Sequence, residues 1–274
     1  MEDMRECLPH SMTARSDGGG ITPEAYVQMQ CDWYNATQGS LTGYDCPKCK
    51  NRGSVAVAKD GYQVMVECEC MSIRKNRQNV VQSGLQSALQ SMTFDSYVCT
   101  EPWQERAKTT AKNFADKQDG RWLYMSGQSG AGKTHLCTAV CGVLLDRGVS
   151  VRYEMWRTLY REMQRFDTRD QKFQQISDCD VLYIDDFLKS AAVKPDTETG
   201  KLARPDRDTQ KELNTAFEIV NDRYAKNKIT IISSEIFLSD LFSLDAALAG
   251  RIRERCGGFV SQISNGNSRN YRLK

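Results

Sequence analysis

The stretch that decides the fold is the loop Gly127-Gln128-Ser129-Gly130-Ala131-Gly132-Lys133-Thr134. It fits the phosphate-loop pattern GxxxxGK(S/T), and it lies between the apolar run RWLYMS and the helical stretch THLCTAVCGVLL, as that motif requires. Its glycines let backbone N–H groups point at phosphates, and Lys133 reaches the terminal phosphates from the start of the helix. We therefore predict a nucleotide site at residues 127–134, in which Thr134 ligates Mg²⁺. An ordinary glycine turn is the alternative.

Further along the chain, the apolar residues VLYI lead directly into Asp185 and Asp186. This pattern is typical of a buried strand that delivers carboxylates at its C-terminal end, the edge at which open α/β sheets bind ligands. We predict that Asp185 is the Mg²⁺ partner and that Asp186 orients or deprotonates the attacking water. A strand that ends in a solvated acidic turn is the alternative interpretation.

Five apolar runs alternate with helical stretches in the second part of the chain. The runs are RWLYMS, VSVRYE, VLYI, ITIIS and FVSQI. Alternation of this kind predicts an α/β fold, in which a five-stranded parallel sheet is flanked by helices. The phosphate loop follows the first of these strands, and the acidic pair follows the third.

Four cysteines lie within a short segment near the N-terminus: Cys46, Cys49, Cys68 and Cys70. Two close pairs of thiolates are what a tetrahedral structural zinc site requires. The segment between the pairs, SVAVAKDGYQVMVEC, alternates and contains a hairpin turn, so the second pair returns beside the first. A redox dithiol and unliganded thiols are the alternatives. Catalytic zinc is not expected, because no histidine is near and all four positions are filled.

The remaining sequence suggests four segments. Residues 1–21 end in a glycine-rich stretch and are predicted to be a disordered tail. Residues 22–72 contain a helix, capped by Thr22 and Pro23, and the small zinc-ribbon-like module. Residues 73–95 are polar and glutamine-rich, and we predict a linker there. Residues 96–274 form the nucleotide-binding domain.

Composition limits the classes of protein that this chain can represent. Of its 274 residues, 40% are hydrophobic, which excludes a small disulfide-stapled scaffold. The N-terminus MEDMRECLPH lacks the apolar region of a signal peptide, and no apolar run is long enough to span a membrane. We therefore expect a cytoplasmic protein without a membrane partner. The net charge is only +2, so any binding to nucleic acid must be local.

Three stretches are candidates for contacts with nucleic acid. One is the basic patch at Arg74, Lys75 and Arg77, and another is the basic stretch at residues 251–274. The third is a predicted helix that mixes aromatic residues with arginines, a combination suited to single strands. Its residues are Trp156, Arg157, Tyr160, Arg161, Met163 and Arg165. The alternative is a helix with a core face and a solvated basic face.

The motifs GKTHLCTAV, VLYIDDF and LAGRIRERC together resemble the AAA+ ATPases of the bacterial replicative helicase loader type, DnaC-like and DnaI-like. The resemblance is strongest to versions carried by phages and covers roughly residues 93–274. It implies ATP and Mg²⁺ as cofactors beside Zn²⁺, and weak hydrolysis of ATP to ADP and phosphate that acts as a switch. It also implies a hexameric replicative DNA helicase, docked through residues 22–72, and single-stranded DNA as partners, with ATP-dependent self-association on the helicase.

The resemblance implies roles for further residues. His135, directly after the phosphate loop, joins the nucleotide site, although initiators and transposition helpers share it. Ser234 and Glu235 fall at the sensor 1 position, where a second anion would be repelled by a γ-phosphate. Either Ser234 senses the nucleotide or the position is only structural. Arg251 falls at the trans-acting arginine finger, and Arg272 could contact phosphate.

The resemblance also leaves rivals open. The chain ends soon after its last predicted strand, so we expect the helical lid of ordinary AAA+ proteins to be missing or minimal. The first rival function is an IstB-like transposition-helper ATPase. The second is a nucleotide-binding adaptor that has lost hydrolysis, and the third is a zinc-dependent DNA-binding protein with an incidental ATPase.

Overall fold

The structure is a computed structural model that describes residues 21–74, 85–117, 119–189, 205–264 and 266. Its contacts divide the chain between Met71 and Ser72 into two compact units, unit 1 and unit 2. The predicted disordered tail falls almost wholly outside the described residues. The same holds for Lys75, Arg77 and Arg272.

The described part of unit 1 is built from a helix and a β-hairpin, and a further helical turn begins at Cys70. Helix α1 spans Pro23–Ala36, strand β1 spans Ser54–Lys59 and strand β2 spans Tyr62–Glu67. As predicted, the helix is capped by Thr22, whose Oγ1 accepts a hydrogen bond from the Ala25 N–H at 3.2 Å. Asp60 and Gly61 form the two-residue hairpin turn, with φ values of 52° and 78°. Positive φ at both positions is what a type I′ turn requires, and the twist of such a turn matches that of the flanking strands.

Helix α1 packs on one face of the hairpin through polar contacts. The Asn35 side chain donates to Ala56 O at 2.8 Å and accepts from Ala56 N at 2.9 Å, so it acts like a short additional strand. The Tyr34 and Ser54 hydroxyls lie 2.8 Å apart. Ala56 is buried on this face, whereas Val57 on the other face is 40% exposed. Hydrophobic burial therefore contributes little to unit 1.

Unit 2 is a parallel sheet covered by helices. Its helices are α2 (Gln86–Ser91), α3 (Pro102–Asp116), α4 (Lys133–Asp146), α5 (Trp156–Met163), α6 (Arg169–Asp178), α7 (Arg207–Ala225), α8 (Leu238–Leu244) and α9 (Ala246–Cys256). Its strands are β3 (Leu123–Gly127), β4 (Val151–Met155), β5 (Val181–Phe187), β6 (Ile229–Ser234) and β7 (Val260–Ile263). The strand order is β4-β5-β6-β3-β7 and all pairs are parallel. The predicted five-stranded parallel sheet is thus confirmed.

Alternating residues of each strand enter two separate cores, because neighbouring side chains of a strand point to opposite faces. On strand β3, Leu123 and Met125 face the core that α3 and α4 cover. Tyr124 faces the other core, to which α5, α7 and α9 contribute. Residues 85–95 belong to the first core, since Leu85 is buried there and Phe94 packs against it. This part of the predicted linker is therefore part of unit 2.

A buried arginine joins three elements on the second face of the sheet. Arg223 of α7 has no exposed surface and donates to backbone carbonyls of the last turn of α6, of the α6–β5 connection and of β6. The acceptors are Ile176 O, Ser177 O, Cys179 O, Ile229 O and Thr230 Oγ1. Burial lowers the pKa of Arg223. The guanidinium fixes where β5 begins, and so where its acidic C-terminal end lies.

Among the described residues, none beyond Ile263 is helical. The last of them, Gly266, exchanges two hydrogen bonds with the phosphate-loop residue Gln128. The Gln128 amide donates to Gly266 O at 2.9 Å and its Oε1 accepts from Gly266 N at 2.8 Å. The segment after β7 therefore returns to the loop before Lys133.

Candidate nucleotide and metal sites

The phosphate loop joins the end of β3 to the start of α4, and it requires glycine at two positions. Gly127 has φ 144°, and a Cβ there would lie 2.5 Å from Ile263 O. Gly132 has φ 83°, and its Cβ would lie 2.8 Å from Cε2 of Tyr97. Gly130 is also left-handed, with φ 79°. The loop residues thus adopt the tight backbone that turns N–H groups toward a phosphate.

Lys133 is nearly buried under this loop. Its Nζ donates to Gly127 O at 2.7 Å and to Gln128 O at 2.9 Å. Burial lowers the pKa of Lys133, while the carboxylates of Glu235 and Asp186 act in the opposite direction. An ammonium has three donors, so a third remains for a phosphate oxygen. The side chain is therefore placed for the predicted role.

Thr134 and Asp185 come together as the sequence predicts for a Mg²⁺ site. The Thr134 hydroxyl donates to Asp185 Oδ1 at 3.1 Å, which joins the first turn of α4 to the end of β5. A hydroxyl oxygen and a carboxylate side by side are the hard ligands that Mg²⁺ prefers. These two residues therefore fit the ion.

Two further residues, Ser233 and Tyr153, bind the Asp185 carboxylate, and neither was predicted from the sequence. The Ser233 hydroxyl donates to Asp185 Oδ1, and the Tyr153 hydroxyl donates to Oδ2 at 3.4 Å. Ser233 also accepts from the Asp186 N–H at 3.2 Å. The sequence carries no signal for these two residues, because only the register of β6 and β4 against β5 brings them beside Asp185.

Asp186 lies at the centre of a charged group. Its backbone has φ 54°, and its N–H donates to Asp185 Oδ1 at 3.1 Å. Lys189 Nζ lies 2.9 Å from Asp186 Oδ2 and 3.2 Å from Glu235 Oε1. Burial lowers the pKa of Lys189, but the two carboxylates outweigh it and the net shift is upward. Sequence reasoning missed Lys189, because its side chain reaches Asp186 only through a tight turn.

Ser234 and Glu235, the two sensor candidates, point in different directions. The Ser234 hydroxyl is buried, donates to Phe187 O at 2.8 Å and accepts from the Ile236 N–H at 3.1 Å. It therefore joins β6 to β5. The structure brings the side chain of Glu235, not that of Ser234, to the charged group around Asp186.

Arg251 and His135 are held by neighbouring elements. The Arg251 guanidinium donates to Asn221 Oδ1 at 2.9 Å and lies 4.7 Å from the Phe217 ring centre, so α7 fixes it. His135 Nε2 lies 2.9 Å from Thr93 O, and its ring meets the Tyr97 ring edge-on at 5.1 Å. His135 thus anchors the segment that places Tyr97 against Gly132.

Helix α5 has one face in the core and one face exposed to solvent. Trp156 and Met163 are buried, so for them the core interpretation is correct. Trp156 Nε1 donates to Oε1 of Glu212, which is also buried. Burial raises the pKa of Glu212, and the tryptophan hydrogen bond acts against that. Arg157 is exposed on the same helix.

The four predicted zinc ligands form one buried cluster in unit 1. All four Sγ atoms lie within 4.8 Å of one another. Cys46 Sγ is 3.8 Å from Cys68 Sγ, and Cys49 Sγ is 3.4 Å from Cys70 Sγ. A tetrahedron with Zn–S bonds of about 2.3 Å has S···S edges of about 3.8 Å. The Gly53 N–H also donates to Cys49 Sγ at 3.3 Å. The cluster therefore fits a structural zinc ion.

With this geometry established, comparison with known proteins gives the family. The family described as IstB-like ATP binding protein matches residues 74–274, most of the chain. The chain belongs to this family. It is an IstB/DnaC-like AAA+ ATPase, as its motifs predicted. Members of this family are P-loop ATPases, and the phosphate loop and the acidic end of β5 are the candidate ATP site of this chain.

Individual relatives of this ATPase include a phage protein and a helicase loader. The chain is 28% identical over 241 residues to "Phage-like element PBSX protein XkdC" of Bacillus subtilis (strain 168), and the match covers 81% of this chain and 84% of that protein. It is 30% identical over 114 residues to "Replicative helicase loader DnaC" of Escherichia coli (strain K12), which covers 38% of this chain and 46% of that protein.

Solved structures support the fold. The crystal structure of the DnaC helicase loader matches with a TM-score of 0.51 at 21% identity, and covers 64% of this chain and 98% of that chain. At this identity the match shows the α/β fold alone. Among the described residues, no helix is long and apolar enough to cross a membrane.

Proposed function

We propose that this ATPase is a loader of the replicative DNA helicase that hydrolyses ATP weakly, as a switch. The observation that carries the proposal is the joining of a four-cysteine unit to an IstB/DnaC-like ATP site in one chain. Sequence relatives that include the E. coli replicative helicase loader support it. The cysteine unit favours a loader over a transposition helper.

The ATP site has a residue for each part of phosphoanhydride hydrolysis. Lys133 binds the terminal phosphates, and Thr134 with Asp185 would hold Mg²⁺, which neutralises phosphate charge when it is bound. Asp186 orients a water and accepts its proton as the water attacks the γ-phosphorus. The bond from that phosphorus to the bridging oxygen breaks, and ADP and phosphate leave. Ser233 and Tyr153 keep Asp185 in place for this step.

Unit 1 supplies the docking element for the hexameric helicase in this proposal. Tyr26, Met29 and Trp33 follow one another at helical spacing on α1 and are 46%, 39% and 51% exposed. Exposed apolar residues in such a group are typical of a protein–protein contact. The zinc ion, held by the four cysteines, stabilises the hairpin on which α1 packs.

Single-stranded DNA is the second proposed partner, and a cleft in unit 2 supports it. The cleft has a volume of about 650 Å³ and is lined by Met155, Arg157, Tyr160, Arg161, Asp186 and Lys189. Its guanidinium groups can contact phosphates, and Tyr160 offers a ring to a base. Because the cleft includes Asp186, a strand bound there lies beside the hydrolytic site.

ATP-dependent self-association on the helicase completes the proposal. In it, Arg251 of one subunit stabilises the charge on the γ-phosphate that a neighbouring subunit binds. Asn221 and Phe217 on α7 support this role, because they hold the guanidinium in one orientation. Replacing Arg251 with alanine is expected to lower turnover in the assembled state and to leave ATP affinity unchanged.

A capture experiment tests the loader function. The purified full chain is mixed with the hexameric replicative helicase of its host, with and without ATP, and wild type is compared with Cys46→Ser. Cys31→Ser is the matched control, since Cys31 is buried on α1 and lies outside the cluster. We expect capture by wild type and by Cys31→Ser, and its loss in Cys46→Ser. Failure of wild type under every nucleotide condition would refute the loader function.

The family match favours one second candidate, an IstB-like transposition helper. Capture of a transposase in place of the helicase, with the same dependence on ATP, would support it. Hydrolysis distinguishes both from a nucleotide-binding adaptor, because an adaptor tolerates Asp186→Asn without change in its function.

A further inference from the structure

A lysine lies between the two carboxylates at the C-terminal edge of the sheet in unit 2. Lys189 Nζ contacts Asp186 Oδ2 and Glu235 Oε1 at 2.9 and 3.2 Å. A tight turn brings it there: Asp186 and Leu188 have φ values of 54° and 56°, and the Lys189 N–H donates to Asp186 O at 3.1 Å. Left-handed backbone is costly outside glycine and is retained where surrounding structure requires it. The chain therefore holds Lys189 over Asp186.

Glu235 by itself would be unfavourable next to a nucleotide. Against the effect of burial, the carboxylates of Glu235 and Asp186 both act to raise the pKa of Lys133, and Lys189 joins the two carboxylates, so both lie near the Lys133 ammonium. Since Lys133 reaches the terminal phosphates, an uncompensated Glu235 would repel the γ-phosphate. The contact with Lys189 cancels that charge. The same lysine also fixes the position of Asp186. Lys189 binds Oδ2 of the Asp186 carboxylate, while Ser233 and Asp185 accept hydrogen bonds from the Asp186 backbone N–H.

We propose that Lys189 is a positioning residue of the ATP site, which neutralises Glu235 and fixes the Asp186 carboxylate, so that Lys189 and Glu235 act as one neutral sensor of the γ-phosphate. The inference deepens the proposed function and rests on its ATP site, but not on a helicase partner. The two charges depend on each other. Removing Lys189 alone adds an uncompensated anion near the γ-phosphate, whereas removing both charges leaves the net charge of the group as it is in wild type.

The test is a double-mutant cycle read by nucleotide affinity. ATP and ADP binding to the full chain is measured by calorimetry for wild type, Lys189→Ala, Glu235→Gln and the double variant. We expect Lys189→Ala to weaken ATP binding about fivefold, the size of a partly exposed charge effect, and to leave ADP binding within about twofold. Glu235→Gln should not weaken ATP binding, and the double variant should recover the wild-type affinity. Lys189→Arg keeps the charge and should bind ATP as wild type does.

Lys226 provides a matched control. It also bridges two carboxylates, Asp178 at 3.0 Å and Asp222 at 3.3 Å, and its side chain is 41% exposed against 44% for Lys189. It lies before β6, at the opposite edge of the sheet from Lys189. Lys226→Ala is therefore expected to leave the ratio of ATP to ADP affinity unchanged.

The cycle also has an outcome that overturns the inference. Additive effects of Lys189→Ala and Glu235→Gln, or an equal loss of ATP and ADP affinity in Lys189→Ala, would show that the lysine has no sensor role. Should Lys189→Ala fail to fold, weaker ATP binding by Glu235→Gln would overturn the inference in the same way. Absence of ATP binding by wild type would instead refute the ATP site itself.

Discussion

Replacing Cys46 with serine is predicted to unfold unit 1 rather than to weaken it slightly. Among the described residues of unit 1, the buried apolar side chains outside the cysteine cluster are Cys31 and Ala56. Burying two such small side chains contributes about 2 kcal/mol. Ordering a single residue costs about 1–2 kcal/mol in backbone entropy. Hydrophobic burial therefore cannot hold α1 and the hairpin together.

The zinc cluster is the remaining source of stability. A structural zinc site with cysteine ligands contributes about 10–16 kcal/mol to folding at neutral pH, because the unfolded chain has no preformed site. Serine at position 46 removes one of four thiolates, and a neutral hydroxyl does not replace the thiolate as a ligand. Most of this free energy is then lost, and the loss is comparable to the about 5–15 kcal/mol by which whole domains are stable.

Hydrogen exchange and metal analysis measure the effect. The backbone amides of β1 and β2, which pair from Ser54 with Glu67 to Lys59 with Tyr62, should exchange slowly in wild type and at once in Cys46→Ser. Zinc content should fall together with that protection, and a chelator should reproduce both changes in wild type. Cys31→Ser should keep zinc and protection. Slow exchange of the hairpin in metal-free Cys46→Ser would refute the reasoning.

Three further predictions concern unit 2. Asp186→Asn should bind ATP as wild type does but lose about 100- to 10,000-fold in turnover, the contribution of a general base; wild-type turnover would contradict this role. Glu212→Gln keeps the acceptor for Trp156 Nε1. Because burial raises the folded pKa of Glu212, its ionisation destabilises the fold as pH rises above about 4.3. Thermal melting should therefore show the variant as more stable at pH 7 and not at pH 4, and an equal gain at both would contradict the prediction. Arg223→Met leaves buried carbonyls unpaired and should cost about 3–5 kcal/mol in denaturant unfolding, against under about 1 kcal/mol for the exposed Lys226→Ala; similar costs for the two would refute the role of Arg223.

The local features of this protein could be predicted from the sequence. The phosphate loop at residues 127–134 is a contiguous motif, and its glycines are required by backbone sterics that depend on near neighbours. The five strands are runs of apolar residues whose burial follows from their composition. The turn at Asp60 and Gly61 brings the two cysteine pairs together through the pairing of adjacent strands.

The arrangement of the acidic edge was decided by tertiary structure. Which of Ser233, Ser234 and Glu235 faces Asp186 depends on the pleat and register of β6 against β5, and a shift of one residue would exchange their faces. Lys189 reaches Asp186 only because Asp186, near the end of β5, and Leu188, directly after β5, adopt left-handed backbone. Sequence encodes which chemical groups are available at the ATP site. Their contacts depend on side-chain direction across strands far apart in sequence, which local propensity does not specify, and so only the folded sheet determines them.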